Sequence, residues 1–324
     1  MSRLPGSGAS TAPRPAYLSR LIGRRPAGSS QGEERAAFLF LVPWLAGLIF
    51  FLAVPLGYAV WISMTDEQLL RSGRFIGFDN YVEIFTRDPS FLHSLRITLQ
   101  WVVLTTPLFM AAGLGLSLLL NQKLPGMNVF RTILYIPAVL SGVAVAILWV
   151  VLLNGDAGAV NQLLASLGWT NPPNWFEDAD WAMAAVAIMG MWGVGGGAVI
   201  FLAGLQNIPP HLYEAASIDG AGPLAKFRHI TLPMLSPTLF FLFINALIDS
   251  LVIIGPLIVI VGRSGSGGPE DSLLFYMLYL YRVAFVQGQL GYGAALAWIL
   301  TVIGCILVYL TFKAEKRFVY YETE

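Results

Sequence analysis

The sequence predicts an all-α, polytopic membrane protein that crosses the bilayer as six helices. Composition points there first. Of 324 residues, 56% are hydrophobic and only 12% charged, against about 25% charged in an average soluble domain. Run length comes second: stretches at 36–64, 96–120, 131–153, 181–205, 232–261 and 290–312 approach the ~20 apolar residues that take a helix across ~30 Å of hydrocarbon. Charge placement comes third. Thirteen of the nineteen Lys and Arg fall in the N-terminal tail, the 121–131 and 206–231 loops and the C-terminal tail. Positive charge is retained on the cytoplasmic side, so both termini are expected there.

Taken in order, residues 1–35 are rich in Ser, Gly, Pro and Arg without apolar periodicity. They read as a disordered cytoplasmic tail able to touch anionic membrane lipid, with 36–320 forming the transmembrane domain. The first run follows this polar tail and is too long for a signal-peptide core, so it is expected to remain as a helix. The external 65–95 segment is expected to hold a short helix near 79–86. Inside the spans, Pro107, Gly113 and Gly115, then Pro137 and Gly142, then Gly190, Gly193, Gly195, Gly196 and Gly197 allow kinks and close helix approach. The 154–180 segment starts as a helix and is stopped by "TNPPNW", where two prolines favour extended backbone. Its Trp169, Trp175 and Trp181 could stack on a sugar or a partner, or anchor the chain at the interface. The last external segment opens as flexible "GRSGSGGPE" and continues as "DSLLFYMLYLYRVAF", too short and aromatic for a seventh span and expected to lie against the bilayer.

Several chemistries are excluded. Net charge is zero, so nothing attracts nucleic acid globally. The single cysteine, Cys305, cannot form an intrachain disulfide and offers no metal-site spacing. No Ser/His/Asp set, HExxH or carboxylate pair lies in the spans, so no catalytic residue is expected. No GxxxxGK[ST] occurs, so transport energy would have to come from another subunit. The one clear ionisable group within a span is Asp249, and such a group costs about 2.5–3.5 kcal/mol at the bilayer centre. Asn245 stands four residues earlier on the same helical face. With Ser250, these residues form a candidate solute-contacting set along helices three to five. The alternative is a carboxylate bonded to a neighbouring helix.

The most informative stretch is the loop 206–237. "NIPPHLYEAASIDGAG" begins with Pro209 and Pro210, suited to a first helical turn, and ends at Gly220, a residue suited to the C-cap. A short helix at the cytoplasmic surface follows, with Glu214 near its start and small Ala215 and Ala216 after it.

The run "EAASIDGAGPLAKFRHITLPMLSP" resembles the EAA loop of permease subunits of ATP-binding-cassette importers: Glu214, Ala215, Ala216, then Asp219, Gly220, Ala221, with Ile230, Leu232 and Pro233 following. "FIGFDNYVEIF", "RTILYIPAVLSGVAVAILW" and "AGLQNIPPHLYEAASIDGA" are similar to the carbohydrate-uptake branch, the maltose and glycerol-phosphate type. The resemblance covers about residues 36 to 320. It implies the type I importer permease fold, with the EAA helix seated in a cleft of the ATPase: Glu214 the ion-pair partner, Ala215 and Ala216 the docking face, Asp219 and Gly220 the turn. It further implies an ATP-binding subunit dimer carrying ATP and Mg, a second homologous permease subunit, an extracytoplasmic solute-binding protein and a sugar or polyol cargo, at a bacterial plasma membrane. The chain departs from the family's aromatic-Asp and Gly-Gly-Pro pattern in the fifth helix, where it has Gly255 and Pro256. The rival reading is an ATPase-independent protein such as a proton-coupled carrier, which should carry more buried carboxylates.

Overall fold

The computed structural model describes residues 31–122, 124–261 and 267–318. Among these there is no β-strand beyond the isolated bridges Thr65–Phe75 and Gln68–Arg71. Four helices are long and apolar enough to cross a membrane uninterrupted: Phe38–Ser63, Pro89–Leu120, Ser236–Val261 and Leu290–Glu315. Two bent pairs complete the expected six: Met127–Val139 with Gly142–Leu152, and Ala179–Trp192 with Gly195–Gln206. Most of the tail expected at 1–35 lies outside the described residues, and the chain is helical from Gln31.

The chain separates into two units at Tyr58 and Ala59. The helix Gln31–Leu48, in the first, passes through a π-helical turn, Ile49–Ala53, into Val54–Ser63, within which the division falls. Pro55 explains the wide turn: it has no N–H for the carbonyl four residues back, and its ring would clash there. The same device recurs at Phe227–Thr231, ahead of Pro233.

The bends fall where the sequence concentrates Pro and Gly. The third span turns by 98° because Leu140 (ψ 147°) and Ser141 (ψ 130°) are extended between the two helices. Pro137, just before, cannot donate to the carbonyl of Ile133. The fourth span bends by 48° around Gly193 and Val194. Immediately afterwards, a Cβ on Gly195 would fall on the Leu134 carbonyl oxygen. Glycine there lets the second half of the fourth span lie directly on the first half of the third.

In the second unit the Pro89–Leu120 span is central, packing against the fourth span, the fifth span and the Tyr276–Tyr281 helix. Its inward face carries Ser94, Thr98 and Thr105, whose hydroxyls bond carbonyls three or four residues back on their own helix. These bonds keep the groups satisfied without water.

The segment expected to lie on the bilayer does not. Leu273, Leu274, Phe275 and Tyr276 are buried, and Tyr276, Leu280 and Val283 of the following helix join a core with Phe91, Leu247, Leu251 and Leu296, while Phe285 and Val286 at its end stay exposed. The polar groups of Tyr276 are met by protein: Thr98 Oγ1 accepts the Tyr276 N–H at 2.8 Å, and the Tyr276 hydroxyl donates to the Leu296 carbonyl at 2.8 Å. An aromatic-rich apolar run fits a protein interior as well as a lipid surface, and here the hydroxyls decide for the interior.

The connections 65–88 and 262–289 meet at one end of this unit. The Leu69 N–H donates to the Gly288 carbonyl at 2.8 Å and the Gly291 N–H to the Glu67 carbonyl at 2.9 Å. The helix Asp79–Thr86 forms as expected, fixed by Asn80, whose amide donates to the Ser63 and Thr65 carbonyls. Asp88 caps the second span through the Phe91 N–H and accepts the hydroxyls of Tyr279 at 2.6 Å and Tyr292 at 2.8 Å. Trp175 is buried and donates to Asn161, and Trp169 and Trp175 both pack edge-on against Trp181. The three indoles thus brace the 154–180 connection against the start of the fourth span.

Candidate functional site

The loop helix runs Pro210–Ile218, with Pro209 extended at its N-cap (ψ 127°) and Pro210 in the first turn. Its faces differ. Leu212 and Tyr213 pack on Phe201, Leu205, Ile208 and Leu235, at the junction of the fourth and fifth spans. The Tyr213 and Thr231 hydroxyls bond at 2.9 Å, and Lys226 donates to Ser217 at 2.6 Å. On the other side His211, Glu214, Ala215 and Ile218 are exposed. Their i, i+3, i+4, i+7 spacing makes one open stripe. Ala216 is half-buried on the protein side.

The helix ends in a double hydrogen-bonded cap. The Ala221 N–H reaches the Ala216 carbonyl at 2.8 Å and the Gly220 N–H reaches Ser217 at 3.1 Å, the Schellman pattern. Gly220 has φ +78° and nothing within 4 Å of where a Cβ would stand. Its glycine answers a backbone demand, with open space around it. Asp219 is exposed beside it. Sequence reasoning missed Ile218 and Leu224, which are 88% and 78% exposed. The signal was present, since each is a large apolar residue in a polar loop.

The second feature is a 620 Å³ cavity among the second, fourth and fifth spans. Asn245, Asp249 and Ser250 all line it. The third span, expected to contribute, supplies none of its lining, and the second span contributes instead. The floor is glycine from two helices, Gly113, Gly190, Gly193 and Gly197. At Gly190 a Cβ would meet the Phe109 ring at 2.7 Å, so glycine admits that ring to the wall. Asn245 donates its amide to the Phe241 carbonyl at 2.7 Å. Asp249 is exposed and makes no hydrogen bond or ion pair among the described residues, while Ser250 is buried.

These two features, a fastened helix with an open stripe and a glycine-floored cavity between spans, suit a translocation subunit. The family model for the binding-protein-dependent transport system inner membrane component matches residues 109–314, taking in both. The chain belongs to this family. The permease is 35% identical to the probable ABC transporter permease protein YesP of Bacillus subtilis over 91% of this chain and 95% of that one. It is 30% identical to the sn-glycerol-3-phosphate transport system permease protein UgpA of Yersinia pestis bv. Antiqua, over 88% and 95%. Among solved structures, the bacterial ABC transporter involved in import of the acidic polysaccharide alginate superposes with a TM-score of 0.78. That match covers 89% of this chain and 98% of the other, and its 23% identity speaks to fold. The permease is therefore a multi-pass membrane component with an importer-type fold, a subunit of a transport system and not itself an enzyme.

Proposed function

We propose that the permease is one of two homologous membrane subunits of an ATP-driven importer for a sugar or related polyol, and that the Pro210–Ile218 helix couples it to a pair of ATP-binding subunits. The open His211, Glu214, Ala215, Ile218 stripe carries this reading, because the opposite face of the same helix is tied into the fourth and fifth spans. A push on the stripe moves both spans together. In the proposed cycle, ATP with Mg closes the partner ATPase and draws the docked helices inward. The cavity then opens to a solute-binding protein on the far side of the membrane, and hydrolysis resets it. Glu214 is the expected ion-pair partner of a basic residue in the ATPase cleft, with Asp219 and Gly220 forming the turn.

Orientation follows from the Lys and Arg distribution: both termini and the coupling helix on the cytoplasmic side of the plasma membrane. A polyhydroxylated cargo is supported by the cargos named for the Yersinia relative and the alginate transporter. It is also supported by a cavity wall of aromatic rings with a small polar patch. A proton-coupled carrier is disfavoured, because the cavity offers a single carboxylate and no relay partner.

The test is a mild-detergent pull-down of the tagged chain from its native membrane, with partners identified by mass spectrometry. Recovery of a P-loop ATPase, a second permease and a solute-binding protein is expected; recovery of the chain alone would refute the assignment. The double variant Glu214→Ala, Gly220→Trp should abolish uptake while the protein stays in the membrane. No protein atom stands within 4 Å of a Cβ at Gly220, so an indole there obstructs a docked partner, while its positive φ adds only a local strain at the helix cap.

A further inference from the structure

The polar patch of the cavity holds one carboxylate and no cationic side chain. Asn245 and Asp249 are one turn apart and line the same wall. Asn245 gives one of its two amide N–H groups to the Phe241 carbonyl, which leaves its Oδ1 and its second N–H, both uncharged, for a solute. Asp249 presents two carboxylate oxygens with no partner of their own among the described residues. No Lys, Arg or His lines the cavity.

The geometry points to Asp249 as a charge filter: this chain's wall admits neutral or cationic saccharides and rejects anionic ones. The inference rests on the importer reading above and narrows its cargo. A sugar hydroxyl or ammonium brings the donor that the Asp249 carboxylate needs, and the Phe109 and Phe241 rings cover the apolar ring face. A uronate or phosphate keeps hydroxyl donors but brings a second negative charge beside Asp249 into a site with low-dielectric walls. The cargo therefore differs in charge from those named for the Yersinia relative and the alginate transporter, both of which are acids.

Glucose, glucosamine and glucuronate share one ring and differ in charge, so they serve as probes. Their binding is measured by calorimetry on the complete importer, purified with its ATPase and partner permease and without the solute-binding protein. The expected order is glucosamine at or above glucose, with glucuronate far weaker. Asp249→Asn should raise glucuronate relative to glucose by about 100-fold, the size expected for unit charges ~6 Å apart at an effective dielectric of ~20. Asp249→Glu should keep the original order. An unchanged order in Asp249→Asn, or glucuronate binding the unmodified importer as well as glucose, would overturn the filter. So would loss of the partner subunits from Asp249→Asn, which would assign the carboxylate to assembly. Failure of all three probes in an assembled, ATP-hydrolysing complex would remove the sugar reading and this inference with it. Failure of the unmodified chain to assemble would strike the importer reading itself.

Discussion

Replacing Ile218 with Ala tests the coupling surface at the point where it is most open. Ile218 is 88% exposed in the last turn of the helix, so docking has nearly its whole side chain to bury. The substitution removes three carbons at about 0.8 kcal/mol each, a loss of about 2 kcal/mol or roughly 30-fold in association constant. The fold should not suffer, because the residue is absent from the packed side of the helix, where Leu212 and Tyr213 lie. The assay titrates ATP-binding subunit onto detergent-solubilised permease and follows complex formation by size exclusion or interferometry, with thermal unfolding of the free permease as control. A 30-fold weaker complex with an unshifted unfolding temperature is the expected pair of results. Full-strength association would show that the stripe does not meet the ATPase.

Four further outcomes follow from the packing. Gly195→Ala should destabilise the permease by about 1–3 kcal/mol, since its Cβ would collide with the Leu134 carbonyl. Gly197→Ala, two residues on with nothing within 4 Å, should stay within about 0.5 kcal/mol; thermal unfolding in detergent separates the two. Gly220→Ala should cost about 1 kcal/mol through its positive φ and Gly220→Asn less, read by the same melt. Asp88→Ala should lower stability by about 3 kcal/mol, because it removes a helix cap and strands the Tyr279 and Tyr292 hydroxyls.

Much of this architecture is written locally. The Pro210–Ile218 helix could be delimited from Pro209, Pro210 and Gly220 alone, because caps are set by backbone demands a few residues wide. The bends of the third and fourth spans fall beside Pro137 and Gly193 for the same reason. What escaped was neighbourhood. Apolar periodicity marks a buried face without saying whether lipid or protein covers it, so the run ending at Phe285 read as a surface helix, whereas Leu273 to Ala284 bury most of their apolar side chains in protein and only Phe285 and Val286 stand open. Asn245 and Asp249 were visible as a pair one turn apart. That the second span faces them in place of the third is a matter of tertiary packing between the second, fourth and fifth spans, which no count of residues supplies. Ala216 turns partly inward for a related reason: Tyr213 and Thr231 set the helix's rotation through a contact 18 residues apart.

The bonds that close the bundle also impose an order of manufacture. Thr98 waits for Tyr276, 178 residues later in the chain, and Asp88 waits for Tyr292, 204 residues later. A chain leaving the ribosome at about 5–20 residues per second therefore spends many seconds with its second helix in the bilayer and its eventual partners still unmade. Meanwhile Ser94, Thr98 and Thr105 hold their protons on their own helix's carbonyls. The early helix can idle in lipid as a self-contained rod, with Thr98 still able to accept the last N–H when it arrives.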